Sequence, residues 1–142
     1  MFKRLFGNDK QTSDYRVMVV DDDQLVRQTI VNILEEEGFH VIPACGGEEA
    51  LTLLDQMDLP DVVIVDLMMP FMDGKEFISR SRVRFGKATF SPILLLTAAL
   101  HGEQAANEID VEDFLPKPFD QDGLLHRISN LIQGNGNLAR NV

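Results

Sequence analysis

The 142-residue chain has a single cysteine, no tryptophan and few basic residues. The scarcity of cysteine and of basic residues disfavours particular classes of protein. One cysteine, Cys45, excludes an internal disulfide and gives no sign of an oxidising compartment. Its position at the end of a predicted strand favours a buried structural thiol over a reactive one. Only 13 lysines and arginines face 23 acids, for a net charge of −10. Direct nucleic-acid binding is therefore disfavoured, because phosphate contacts need basic side chains.

The chain also lacks any apolar run close to the ~20 residues that a membrane-spanning helix needs. Residues 1–7 are basic but lack the apolar core of a signal peptide, so we expect a cytoplasmic protein. The length allows one domain with a substantial core. Polar, turn-rich ends predict an N-terminal extension at 1–14, a domain at 15–133, and a C-terminal tail or the start of a linker at 134–142.

Apolar, largely β-branched runs alternate with helical patterns five times along the chain. Strands are predicted at 15–21, 40–44, 61–66, 93–97 and 113–116. Helices are predicted at 25–37, 48–57, 74–85, within 102–109 and at 120–133. The alternation predicts an α/β fold, with a parallel sheet covered by helices on both faces. Right-handed crossovers favour a doubly wound, flavodoxin-like (βα)5 topology with the strand order 2-1-3-4-5.

The segment from Pro60 to Gly74 brings a carboxylate to one edge of that sheet. Four apolar residues run into Asp66, as expected of a buried parallel strand that presents a side chain at its carboxyl end. The first strand leads in the same way into Asp21 and Asp22. Open α/β sheets bind ligands at that edge. Clustered carboxylates repel one another unless a hard cation lies among them, so these acids predict a Mg²⁺ site.

Thr97, at the end of the fourth strand, and Lys117, just after the fifth, complete this group. A lysine and a threonine hydroxyl opposite a metal ion suit the oxygens of a phosphoryl group. An aspartate beside a divalent cation stays ionised and can act as a nucleophile. Each residue alone has a plainer explanation: Asp23 or Asp73 as a helix N-cap, Thr97 as a strand-end residue, Lys117 as a surface charge. Their joint placement at the strand ends favours phosphoryl-transfer chemistry.

The motifs around these residues resemble the receiver domains of bacterial two-component response regulators, of the chemotaxis-type single-domain kind. The resemblance covers about residues 15–133. The matching pieces are Val19-Val-Asp-Asp22, Val65-Asp66-Leu-Met-Met-Pro70, Met72-Asp-Gly74, Leu96-Thr97-Ala98 and Leu115-Pro-Lys117-Pro-Phe119.

The resemblance implies that Asp66 accepts a phosphoryl group from a sensor histidine kinase or a phosphotransfer protein. Asp22 and Asp66 would bind Mg²⁺ directly, together with the backbone carbonyl of Met68, and Asp21 would act mostly through water. Such a protein is a signalling switch in a phosphorelay. It is not an enzyme, although it assists its own phosphorylation and dephosphorylation.

The same resemblance assigns the switch residues. Lys117 would pair with Asp66 and then with the phosphoryl oxygens, and Thr97 would turn inward to bond the phosphate. Phe114 matches the aromatic switch position, and the Lys117-Pro118 bond would be cis. A downstream protein would bind the face made by the fourth helix, fifth strand and fifth helix. A homodimer formed on phosphorylation is an open alternative.

Three departures from the family pattern change the expectations. The stretch Ile109-Asp-Val-Glu-Asp113 replaces a common Gly-Ala pair. Thr97 and Lys117 are 20 residues apart, which is slightly short for the family, so the fourth helix should be short. Phe114 lacks the hydroxyl of tyrosine, so its side chain cannot donate a hydrogen bond.

Met68 and Ala99 occupy positions that flank the path of the hydrolytic water in similar domains. Since neither orients water by a hydrogen bond, we predict a long-lived phosphoryl group.

Two other readings compete with a self-contained switch. The chain is a receiver fragment of a longer regulator if the tail from Gly134 begins a linker to an output domain. A haloacid-dehalogenase-like phosphatase also uses an aspartate nucleophile on an α/β sheet. That family places a second aspartate two residues after the first, where this chain has Met68, which argues against it. The kinase, the target and the pathway are not specified by the sequence.

Overall fold

Five parallel strands form the centre of the fold. The computed structural model describes residues 11–98 and 100–134. The strands are β1 (Arg16–Val20), β2 (His40–Ala44), β3 (Val62–Asp66), β4 (Ile93–Thr97) and β5 (Asp113–Pro116). The helices are α1 (Gln24–Glu36), α2 (Gly47–Leu54), α3 (Gly74–Phe85), α4 (Gly102–Ile109) and α5 (Gln121–Ile132), and a short 3-10 turn at Thr12–Asp14 precedes β1. The strand order β2-β1-β3-β4-β5 confirms the predicted doubly wound topology.

The three central strands, β1, β3 and β4, are mostly apolar on both faces because helices cover both. Val17 and Val19 of β1 face one buried cluster, formed with α1 and α5, while Met18 and Val20 face another, formed with α2, α3 and α4. This period-two alternation within a wholly apolar run is what a two-sided parallel sheet requires. Each large side chain buried this way contributes about 1.5–3 kcal/mol, so the core holds the carboxyl edge of the sheet in place.

The link from α4 to β5 shows how the chain accommodates its unusual sequence there. Asp110 ends α4 with a φ of 63°, the left-handed conformation that usually favours glycine. Arg82 on α3 donates from Nη1 to the carbonyl of Ile109 and from Nη2 to that of Asp110, both at 2.6 Å. A cation that bonds the last carbonyls stabilises a helix C-terminus. The fourth helix is short, as expected, and a side chain from the neighbouring helix α3 bonds its last carbonyls.

Several local expectations are settled by the structure. Asp23 and Asp73 are N-caps, bonded to the first-turn amides of α1 and α3. The second helix ends at Leu54, before the predicted Met57, and the Gln56 amide just beyond it bonds the Leu53 carbonyl three residues back, as in a tightened last turn. The prediction of a buried Cys45 is wrong: the residue follows the end of β2, and its thiol is exposed. No helix in the described part of the chain is long and apolar enough to cross a membrane.

Candidate functional site

Three carboxylates converge at the carboxyl edge of the sheet. β1 and β3 are neighbouring strands, with Val20 opposite Val65, so the residues that follow them lie side by side. Asp21, Asp22 and Asp66 each offer a carboxylate oxygen within 4.8 Å of the other two. Asp21 is fully buried and Asp66 is 6% exposed, whereas Asp22 faces solvent. The three carboxylates therefore lie together, as the sequence predicted, and they form a half-open acidic pocket.

Lys117 is the cation that faces this pocket. Its Nζ lies 3.3 Å from Asp66 Oδ1 and 3.6 Å from Asp21 Oδ2. The Lys117 amide donates to the carbonyl of Thr97 at 2.8 Å, and the Lys117-Pro118 bond is cis, as the resemblance implied.

One ammonium group does not neutralise three carboxylates. Burial and then the charge of Asp21 raise the pKa of Asp66, although Lys117 and the backbone amide of Met68 oppose the shift. Asp21 Oδ2 is buried and accepts no hydrogen bond from the described residues. Oxygen ligands with uncompensated negative charge suit a hard divalent cation such as Mg²⁺. The donor set therefore fits the metal that the sequence predicted.

The loop after β3 packs closely over the base of the pocket because Gly74 has no side chain. A Cβ at Gly74 would lie 2.5 Å from the carbonyl oxygen of Asp66 and 2.9 Å from the Cα of Leu67. The Gly74 amide donates to the Leu67 carbonyl at 2.9 Å. This contact holds the backbone around Met68, whose side chain points outward and is 73% exposed.

Thr97 and Phe114, the two remaining predicted residues, lie on the adjacent strands β4 and β5 and are not part of the carboxylate group. Asp66 is opposite Leu96 in the sheet register, so Thr97 follows directly on the adjacent strand. The Thr97 side chain is buried, and its Oγ1 has no hydrogen-bond partner among the described residues. Phe114 lies on β5, half-buried, with the Arg127 guanidinium 5.9 Å from the centre of its ring. Ala99, the other predicted neighbour of the site, lies outside the described residues.

Sequence reasoning missed one residue that supports the pocket. Arg27 of α1 donates from Nη1 to the carbonyl of Asp21 at 2.7 Å, which fixes the backbone at the end of β1. The sequence feature that could have predicted this contact is the position of Arg27 one helical turn after the N-cap Asp23. Side chains at that position point back toward the start of the helix. The hydrogen bonds from Cys45, its backbone amide first, and then the Arg27 charge lower the pKa of the nearby Glu49.

Comparisons with known proteins agree with this arrangement. Residues 17–129 match the family model described as the response regulator receiver domain. The chain is 38% identical over 120 residues to the response regulator MprA of Mycolicibacterium vanbaalenii and, equally, to that of Mycobacterium tuberculosis H37Rv. Each alignment covers 83% of this chain and 50% of MprA, so the chain spans about half the length of the curated relatives it matches.

Solved structures give the same result for the fold. The chemotaxis protein CheY4 of Vibrio cholerae is 32% identical with a TM-score of 0.74, over 82% of this chain and 98% of that one. The response regulator TrrA of Thermotoga maritima was solved in complex with Mg(2+)-BeF. It is 31% identical with a TM-score of 0.71, over 82% of this chain and 98% of TrrA. The chain therefore belongs to the response regulator receiver domain family.

Proposed function

We propose that this receiver domain is a phosphorylation-controlled switch in a phosphorelay and that Asp66 is its phosphoacceptor. The observation that carries the proposal is the convergence of three carboxylates with Lys117 at one edge of the sheet. Phosphoryl transfer needs mainly positioning and charge neutralisation, and this set of side chains supplies both. The domain assists its own phosphorylation and dephosphorylation but is not an enzyme in the ordinary sense.

Mg²⁺ is the cofactor of the proposed reaction. Asp22, Asp66 and the backbone carbonyl of Met68 would hold it directly, and Asp21 would act mostly through water. When bound, the ion would neutralise negative charge on the carboxylates and on the phosphoryl oxygens. Two observations support this assignment: Asp21 Oδ2 is buried and accepts no hydrogen bond from the described residues, and the pKa of Asp66 is raised.

In the proposed transfer, a carboxylate oxygen of Asp66 forms a bond to the phosphorus of a phosphohistidine. The phosphorus–nitrogen bond breaks, and its electron pair returns to the imidazole. Lys117, which pairs with Asp66 beforehand, would then bond the phosphoryl oxygens. The buried Thr97 hydroxyl, which has no hydrogen-bond partner in the described part of the chain, would gain one by turning toward the phosphoryl group. Phe114 would follow it.

The proposed phosphodonor is a sensor histidine kinase or a phosphotransfer protein. The proposed output surface is the face made by α4, β5 and α5, which would bind a downstream protein or a second copy of the chain. We place the domain at residues 15–133 in the cytoplasm, with an extension at 1–14, of which residues 1–10 lie outside the described residues. The alternative proposal is that this receiver domain is part of a longer regulator that also contains an output domain.

We also propose that the phosphoryl group is long-lived. Met68 lies two residues after Asp66 and is 73% exposed, and its thioether does not orient an attacking water as an amide does. Met68→Asn should therefore speed dephosphorylation after the phosphodonor is removed. The matched control is Val83→Asn, a polar substitution of an exposed apolar residue on α3, which should leave the rate unchanged. Equal rates for all three proteins would contradict this proposal.

A binding titration and a turnover assay test the proposed function as a phosphoacceptor. Adding beryllofluoride with Mg²⁺ to isotope-labelled protein should shift the amide NMR signals around Asp66 and Thr97, and Asp66→Asn should abolish the shift. No shift in the folded wild type would refute the proposed acceptor. With p-nitrophenyl phosphate, repeated turnover would instead favour the phosphatase reading.

A further inference from the structure

Gly102, the first residue of α4, lies against both switch residues at once. A Cβ built at Gly102 would come 2.6 Å from Thr97 Oγ1, and 3.0 and 3.2 Å from ring carbons Cδ2 and Cε2 of Phe114. Contacts at such distances do not fit without movement, because packed interiors leave no spare volume. The bare α-carbon of Gly102 is therefore the surface against which the hydroxyl and the ring both rest.

The backbone does not require a glycine at this position. Gly38 and Gly86 have φ values of +99° and +91°, where other residues are strained, whereas Gly102 lies outside the left-handed range. Gly102 also begins a helix, where glycine is a weak helix former. Space for neighbouring side chains, rather than backbone conformation, is what glycine provides here.

The side chain that most easily gives way is that of Thr97. Its Oγ1 makes no hydrogen bond with the described residues, so none holds it beneath α4. Rotation about one torsion moves Oγ1, whereas the Phe114 ring is also held by its contact with the Arg127 guanidinium. Added bulk at Gly102 would therefore displace the hydroxyl first.

We propose that Gly102 is a positioning residue for the switch, because its missing side chain creates the space that the Thr97 hydroxyl occupies before phosphorylation. A larger residue there would exclude the hydroxyl from this resting position and favour the arrangement that meets a phosphoryl group. The inference rests on the proposed function, in which Thr97 bonds the phosphate. Gly102 is not one of the proposed acceptor or metal-binding residues, and it acts through the Thr97 hydroxyl that lies beside it.

Beryllofluoride binding in the presence of Mg²⁺ tests the proposal on the full chain. Gly102→Ala should tighten binding about fivefold, since it destabilises only the resting arrangement. The matched control is Gly46→Ala at the start of α2, where an added Cβ meets nothing within 4 Å and φ is −177°. The control should bind as wild type does. Unchanged or weaker binding by folded Gly102→Ala would overturn the proposal.

A double-mutant cycle with Thr97→Ala separates this role from a general effect on the helix. Thr97→Ala removes the hydroxyl, so adding Gly102→Ala to it should not tighten binding further. A fivefold effect that persists without the hydroxyl would show that Gly102 does not act through Thr97. If wild type itself binds no beryllofluoride, the proposed function fails, which is a different outcome from a failed cycle.

A measurement on the wild type needs no substitution, so it decides the matter even if Gly102→Ala does not fold. The α-protons of Gly102 lie beside the Phe114 ring, whose ring current shifts their NMR signals. These signals should move together with those around Asp66 as beryllofluoride and Mg²⁺ are added. Gly102 signals that stay fixed while the Asp66 region responds would overturn the proposal.

Discussion

Replacing Lys117 by methionine tests how charge is balanced in the acidic pocket. The Lys117 Nζ lies 3.3 Å from Asp66 Oδ1 and 3.6 Å from Asp21 Oδ2. With an effective dielectric constant of about 20, each contact corresponds to about 5 kcal/mol of gross attraction. Desolvation offsets much of this, and breaking a buried ion pair costs about 3–5 kcal/mol. Because the Lys117 side chain is 30% exposed and partly screened, we expect a loss of about 2 kcal/mol.

The assay is urea unfolding, first with EDTA and then with Mg²⁺. In EDTA, Lys117→Met should lower the free energy of unfolding by that amount. Mg²⁺ should restore stability and bind more tightly than to wild type, because the competing ammonium group is gone. Labelling by acetyl phosphate should nevertheless slow, since the phosphoryl oxygens lose a partner.

Lys87→Met is the matched control for this substitution. Its Nζ forms an exposed ion pair with Asp110 at 3.3 Å, with the two side chains 66% and 50% exposed. An exposed pair contributes less than about 1 kcal/mol, so the control should change neither stability nor Mg²⁺ binding appreciably. If Lys117→Met were as stable as wild type in EDTA, or bound Mg²⁺ more weakly, the charge-balance argument would be refuted.

Three further predictions concern single groups. Asp66→Asn should be more stable than wild type without Mg²⁺, because the raised pKa makes the ionised carboxylate the disfavoured form. The advantage should grow as the pH of urea unfolding rises from the ordinary pKa of 3.8 through the raised pKa of Asp66, and a constant difference would contradict this. A hydrogen bond with Glu49, and then the charge of Glu49, raise the pKa of the exposed Cys45 thiol above its ordinary value of 9.0. Glu49→Gln should therefore speed alkylation of this thiol by iodoacetamide, because more of it is ionised. An unchanged alkylation rate would contradict this effect of Glu49. Asp120→Ala should cost about 1 kcal/mol in thermal unfolding, as its carboxylate caps α5 through the amide of Gly123, and an unaltered melting curve would exclude that role.

The fold could be predicted from sequence because its signals are local and repeated. The run at 62–65, apolar throughout and ending in Asp66, is typical of a strand buried on both faces. Five strands with helices between them then allow few topologies. The acidic group followed from the same logic. Residues directly after neighbouring parallel strands meet at one edge, so Asp21, Asp22 and Asp66 had to be close.

What could not be predicted depends on contacts between distant parts of the chain. Arg82 ends α4 by bonding carbonyls 27 and 28 residues away, and no local pattern indicates that partnership. The exposure of Cys45 depends on the direction of one side chain just beyond a strand end, where the alternation of faces no longer holds. The role of Gly102 depends on two side chains from β4 and β5 that approach it only in the folded protein.

Intact mass after incubation with Mg²⁺ and acetyl phosphate tests the proposed acceptor most directly. Wild type should gain one labile phosphoryl group, and the adduct should be absent from Asp66→Asn and from samples with EDTA. An adduct of the same mass on Asp66→Asn, or none on the folded wild type, would contradict the assignment of Asp66 as the phosphoacceptor.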